Sequence, residues 1–256
     1  MSKKILLVSL VHNRKGLVGR ALQSAVDQTL SKDHWMHLVV DNASTDGADK
    51  VAEVFAKKYP HIHFVRMNTN LGQQKAFNYV LDKWIPKHMP NAEIMANLDS
   101  DDELTSNALK EVKCMFDAYP RIGATYSGFA LIDKRGNYIV KDHGKAKMVP
   151  DQFTARGQLI LRRMFVSSNP CGHLRAFRVS ALRAVGGFNT KYEFSTDYNV
   201  FGRILAKYPV VKINKVLYKF RQHGNQVQGK HSPQQTKDWK DMQKEFKELW
   251  TKKGLI

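Results

Sequence analysis

The chain has 256 residues, 43% hydrophobic and 25% charged, which suits one folded unit with a full core and excludes a disordered or fibrous protein. Two cysteines, Cys114 and Cys171, exclude a disulfide framework and a cysteine-rich metal site, and they read as buried reduced thiols of a cytoplasmic protein. The net charge of +18 is lopsided: residues 1–128 hold 16 basic and 14 acidic side chains, residues 129–256 the remaining 25 and 9. That asymmetry points to a polyanionic partner for the second half, against the blander reading of a solvated lysine-rich face.

In chain order, Met1-Ser2-Lys3-Lys4 followed by apolar residues to Val11 mimics a signal peptide. The run is short and stops at His12, Asn13 and Arg14, so it reads as a first buried strand. A helix over 17–26, a strand over 37–41, a helix over 46–58 and a strand over 62–67 follow. Next come a helix over 73–84, a strand over 94–98, a helix over 105–118 and a strand over 123–132. This alternation predicts an α/β fold with a mostly parallel sheet covered by helices on both faces. The second half is less regular. It offers a turn at 133–137, helices near 153–165, 180–185 and 197–207, and an extended 173–178. Two short strands follow at 210–213 and 216–221. From Pro233 a charged tail carries Trp239, Met242, Phe246, Leu249 and Trp250 at helical spacing, a stripe that packs on its own domain. No run approaches the roughly 18–20 apolar residues of a membrane span.

Polar residues gather where the strands end. His12, Asn13 and Arg14 follow the first, Asp41 and Asn42 end the second, Asn68, Asn70 and Gly72 follow the third, and Asp99 ends the next. Ligands bind along that rim in open α/β sheets. The sharpest segment is Asp99-Ser100-Asp101-Asp102-Glu103, whose crowded carboxylates repel unless a positive charge joins them. A hard cation such as Mn2+ or Mg2+ supplies it and clamps a nucleotide diphosphate. Glu103 alone reads as a cap for the helix expected from Thr105.

These residues, in this order, resemble glycosyltransferase family 2, which has the GT-A fold. The resemblance spans roughly residues 4–225. Val40-Asp41-Asn42-Ala43-Ser44-Thr45-Asp46-Gly47 is similar to the family's nucleotide-binding turn, and Asn70-Leu71-Gly72 with Ala76 and Asn78 to its Asn-x-Gly segment. Asp99-Ser100-Asp101 is similar to the Asp-x-Asp signature, Gly186-Gly187-Phe188-Asn189 to the Gly-Gly-Phe element, and Thr196-Asp197-Tyr198 to the downstream acidic motif. The family more often has Glu-Asp at 196–197 and Asp-Gly-Ser at 42–44.

The resemblance implies a GT-A domain over 1–230, with a nucleotide-sugar half over 1–128 and an acceptor half over 129–230. A C-terminal helix follows over 231–256. It implies an inverting transfer from a nucleotide sugar, with UDP favoured, and assigns roles. Asp41 holds the base beside Val11, His12 and Asn13. Asn70, Gly72, Gln73, Asp99 and Ser100 complete the donor site, with Arg66 a further contact. Asp101 and His223 hold the metal. Asp197 is the general base. Asn169-Pro170-Cys171-Gly172-His173-Leu174-Arg175 is similar to segments of polysaccharide-forming members, which gives His173 and Arg175 to the acceptor.

Two other classes compete. A nucleotidyltransferase needs an acidic metal site too, but normally a Gly-rich loop after the first strand. A non-enzymatic nucleic-acid binder suits the basic half but not the acidic cluster. For the acceptor, the charge favours an anionic molecule: a modified base in phage DNA first, a cell-surface glycan or lipid-linked sugar second. DNA binding of that kind is steeply salt-dependent.

Overall fold

The computed structural model describes residues 4–143, 152–223 and 233–256. Its N-terminal half follows the expected alternation: β1 (Ile5–Val11), α1 (Lys15–Val26), β2 (Trp35–Asp41), α2 (Ala48–Lys58), β3 (Ile62–Arg66). The helix after β3 runs through α3 (Gln73–Tyr79), a π-helical stretch (Val80–Trp84) and α4 (Ile85–His88), then leads to β4 (Ile94–Asn97). It thus outlasts its predicted end at 84.

Leu6 and Val8 of β1 enter one core while Ile5 and Leu7 enter another. Burial on both faces is why this strand reads as a continuous apolar run rather than an alternating one. β1 pairs in parallel with β2 and β4, and β2 with β3.

Beyond β4 the chain turns into β5 (Glu103–Leu104), α5 (Ala108–Ala118), β6 (Ala124–Ile132) and β7 (Tyr138–His143). There follow α6 (Ala155–Phe165), β8 (His173–Arg178), α7 (Val179–Ala184), α8 (Thr196–Leu205), β9 (Val210–Arg221) and α9 (Pro233–Lys252). The sheet order is β3-β2-β1-β4-β8-β6-β9-β5, with β7 on β6. β8 lies antiparallel between β4 and β6, while β6 and β9 share the longest parallel ladder, so the sheet is mostly parallel. Helices α1 and α5 cover one face; α3, α6, α8 and α9 cover the other.

Several expectations are corrected. Helix α5 starts at Ala108, not Thr105, because residues 103–104 leave as β5 to pair with β9. Glu103 therefore caps nothing; its carboxylate takes Arg221 and Lys219. The two strands expected over 210–221 are one strand with a register shift between Ile213 and Val216. Cys171 is buried, but Cys114 is exposed on α5. Gly224, Asn225 and residues 231–232 lie outside the described residues. Among the described residues no helix is long and apolar enough to cross a membrane.

Candidate active site

The strand ends open into one cleft of about 970 Å3, a volume suited to a small organic ligand. Asp41 closes β2 and is fully buried, its Oδ2 accepting from the Ser44 amide at 3.1 Å and facing Arg66 Nε at 3.8 Å. Its Oδ1 is buried with no hydrogen-bond partner among the described residues. A buried carboxylate oxygen in that state is costly unless something donates to it, although Asp41 itself is not among the residues that line the described cleft.

The turn beside Asp41 is built by side chains. Asn42 N–H donates to the Val11 carbonyl at 2.7 Å, and Asn42 Nδ2 donates to Asn70 Oδ1 at 2.8 Å. Asn70 Oδ1 also accepts from the Gly72 amide at 2.9 Å, so the first and third rim segments are tied together. His12 Nδ1 lies 2.9 Å from the Asn42 carbonyl; a carbonyl only accepts, so Nδ1 carries the proton. Asn13, at φ 53°, receives no place on the cleft wall. Its Oδ1 accepts from the Thr45 amide at 2.8 Å and its amide donates to Ser44 Oγ at 3.0 Å, which shapes the turn. Val11, Gly72, Gln73 and Ser100 do line the cleft. Arg66 is spent on Asp49, Asp41 and the Ser44 carbonyl.

The acidic turn divides into two clusters. Asp101 Oδ2 accepts from Arg14 Nε at 3.1 Å and sits 3.1 Å from His223 Nε2, so the two expected metal residues are neighbours. Beside them, Asp99, Asp102 and His173 offer ligand atoms that all lie within 4.8 Å of one another. His173 stacks between Tyr218 and Phe220, with ring centroids at 4.9 and 4.5 Å. It is thus on the Asp99 side of the cleft. The Asp99 carboxyl is pushed above the ordinary carboxylate range by burial, opposed by Arg175 and reinforced by Asp101 and Asp197. The Asp102 carboxyl is pushed well above it by burial and by Asp99 and Asp101, although the Arg221 amide donates to it at 2.7 Å. Crowded acids that hold protons this tightly fit a divalent cation among them.

Arg175 joins this turn to the other side of the cleft. Its guanidinium lies 3.7 Å from Asp99 Oδ2 and 3.0 Å from Asp197 Oδ2. Burial alone opposes its charge, but Asp197 and Asp99 outweigh that and hold it protonated. Asp197 sits in the first turn of α8, reached through Ser195 at φ 57°. The Gly-Gly-Phe element lies behind this segment for a definite reason. Asn78 Oδ1 accepts from the Phe188 amide at 2.7 Å and Asn78 Nδ2 donates to the Phe188 carbonyl at 2.8 Å. Gly187, at φ 68°, leaves room for that amide, since a Cβ there would sit 2.6 Å from Asn78 Oδ1.

Sequence reasoning did not assign Arg14, Tyr218, Asn169, Glu193 or the α9 residues Gln235, Thr236 and Trp239 to the cleft. Tyr218 accepts from the Asp99 amide at 3.1 Å, and the others line the wall. Arg14 was legible as part of the first rim segment. Trp239 was read as part of the packing stripe of the tail; it is only half-buried and packs on the core with its buried part, so nothing in its spacing separated it from a core residue.

The chain has relatives among known proteins. The chain is 24% identical to chondroitin synthase of Escherichia coli over 225 residues, 87% of this chain and 30% of that protein. It is 30% identical to poly(ribitol-phosphate) beta-glucosyltransferase of Bacillus spizizenii over 106 residues, 41% of this chain and 16% of that one. The chain thus spans about a third or less of these curated relatives. Among solved structures, TarS 1–349 of S. aureus in complex with UDP-GlcNAc superposes with a TM-score of 0.70 at 18% identity, over 90% of this chain and 61% of that one. A mannosyltransferase of Pyrobaculum calidifontis in complex with GDP-Man and Mn2+ gives 0.61 at 20% identity, over 90% and 59%. These likenesses show the GT-A fold. The model of "Glycosyl transferase family 2" matches residues 7–186, and the chain belongs to that family.

Proposed function

We propose that the protein moves a sugar from a nucleotide sugar, with UDP favoured, to an acceptor hydroxyl, with inversion at the sugar carbon. One observation carries the reading: a single guanidinium, that of Arg175, spans Asp99 and Asp197. The donor-side carboxylate and the expected base are therefore close enough to act on one bond. On this reading residues 1–128 supply the donor half, 129–230 the acceptor half, and the segment 231–256 a closing helix. Asp41 Oδ1 accepts from the nucleobase, and Val11, His12, Asn70, Gly72, Gln73 and Ser100 shape its surroundings. Asp197 takes the proton from the acceptor hydroxyl, and Arg175 orients that carboxylate. UDP-GlcNAc bound to TarS supports the donor class.

Asp101 and His223 would hold a divalent cation, with Asp99 beside them, and the cation's chemistry is to offset charge on the departing diphosphate. The cation bound by the mannosyltransferase is Mn2+, and either Mn2+ or Mg2+ suits oxygen-rich ligands. Asp102 and His173 are the alternative ligands. Two free thiols suit a cytoplasmic setting. Nothing on the described cleft wall favours a modified DNA base.

Calorimetric titration with UDP and GDP, each with and without Mn2+, tests this. Tight UDP binding only with Mn2+, lost in Asp101→Ala and kept in Asp102→Ala, is the expected result. Equal affinity in the presence of EDTA would remove the metal from the account, and loss only in Asp102→Ala would move it to the cluster of Asp99, Asp102 and His173.

A further inference from the structure

Helix α9 does more than close the core. Met242, Phe246 and Trp250 are buried against α6 and α8. Gly202 of α8 allows the close approach, since a Cβ there would collide with the Phe246 ring. The first two turns instead reach the cleft. Asp238, 4% exposed, lies on the buried stripe, and its Oδ2 accepts from the Glu193 amide at 3.0 Å and the Phe194 amide at 3.1 Å. From the opposite side Gln74 Nε2 donates to the Tyr192 and Glu193 carbonyls at 2.8 and 3.0 Å. The segment leading to Asp197 is thus gripped between α3 and α9.

Next to this clamp, half-buried Trp239 lines the cleft together with Gln235 and Thr236, one turn earlier on the same helix, and with Asn169. The charges there are Glu193 and Asp197. Over the whole described cleft wall, five carboxylates face two arginines, and no lysine is present. Both arginines are already paired with carboxylates. A diphosphate with one divalent cation brings no surplus positive charge. A phosphate or carboxylate placed beside Asp197 would therefore find, on the described wall, only arginines already committed to carboxylates. An aromatic side chain that shares the cleft wall with amides and a hydroxyl instead suits a ring with an apolar face and a hydroxyl rim.

We propose that the first two turns of α9 build the acceptor subsite, with Trp239 as platform for an uncharged sugar ring and Asp238 as the residue that positions the segment carrying Asp197. This rests on the transferase reading above. The positive charge of the second half then serves some other part of the surface, not the reacting group.

Tryptophan indole N–H resonances provide the test. The full chain, loaded with UDP and Mn2+, is titrated with methyl glycosides of glucose, galactose, N-acetylglucosamine and N-acetylgalactosamine. A second arm uses methyl glucuronoside, ribitol phosphate and a single-stranded oligonucleotide. The resonance missing in Trp239→Phe should move with at least one neutral glycoside, and Trp239→Ala should weaken that binding about 10-fold or more. Trp239→Phe should retain part of it, and Asp238→Asn should lower kcat more than it weakens glycoside binding. Response to charged probes alone, or to none, overturns the proposal, as does unchanged affinity in Trp239→Ala. UDP affinity is read separately, so a failure of the donor reading shows as absent UDP binding with the glycoside response intact.

Discussion

At the scale of single residues, chemistry concentrates on a few carboxylates whose neighbours differ. Asp41 is buried with one oxygen unmatched, Asp101 meets Arg14 and His223, and Asp197 meets Arg175. A general base contributes about 10²–10⁴-fold to a rate. Asp197→Asn should therefore lower kcat by about that factor while UDP affinity, measured by calorimetry, holds; loss of UDP binding instead would place Asp197 on the donor side. The Asp-x-Asp and Asp41 positions were legible because carboxylates at strand ends are uncommon without a task. The Glu103–Arg221 ion pair was not, since it joins residues 118 apart in the chain, and spacing carries no trace of that register. Asp238 escaped for a different reason: on a tail rich in charge, one acid at the spacing of Met242 and Phe246 looks like solvent-facing surface.

Elements explain how those residues are held. His37 in β2 is fully buried, and its logic can be followed through one hydroxyl. Ser9 Oγ donates to the Leu98 carbonyl at 2.8 Å, so His37 Nε2 must donate to Ser9 Oγ at 3.0 Å. Burial, helped by His61, lowers the His37 pKa from 6.5 to about 3. The unfolded chain then binds a proton that the folded chain refuses between those values. Stability from this group is complete above pH 6.5 and is lost as pH falls toward 3. Urea midpoints at pH 7 and pH 5 should differ less in His37→Gln than in the parent protein; equal differences would show that another group sets the acid limb. Gly187 gives a second case. Gly187→Ala forces a side chain into positive φ, a cost of roughly 1–2 kcal/mol, and pushes on Asn78 Oδ1. Thermal melting should drop by several degrees, and an unchanged melt would mean that the Asn78–Phe188 pair adjusts freely. The alternation of apolar and helical segments made the parallel half readable. Two-residue β5 was beyond it, because neither length nor period distinguishes it from a loop; β9 was read as strand on both sides of its bulge, and only the continuity across the bulge was missed.

For the whole molecule, the charge asymmetry is the signal least connected to the cleft. It suggested an anionic acceptor, yet the described cleft wall carries more acid than base. Net charge speaks to solubility and long-range association, whereas a site is decided by the few groups that line it. Raising NaCl from about 50 mM to about 200 mM, a range that costs a binder with many phosphate contacts about 10³–10⁵-fold, should change the acceptor KM by no more than about two-fold. A steep rise in KM would restore an anionic acceptor. The GT-A fold itself was legible because its motifs recur in fixed order, and the structure brings them to one rim. The proposed subsite on α9 was not, since Trp239 and Asp238 reach the cleft only after the chain has crossed the core.

The measurement that tests the central claim most directly is release of UDP from UDP-GlcNAc and a panel of other UDP-sugars, with Mn2+, in the parent protein and in Asp101→Ala. The account predicts metal-dependent UDP release from at least one donor, with a rate at least ~100-fold lower in the variant, as expected when several kcal/mol of charge stabilisation are removed. Turnover that survives both EDTA and Asp101→Ala would contradict it.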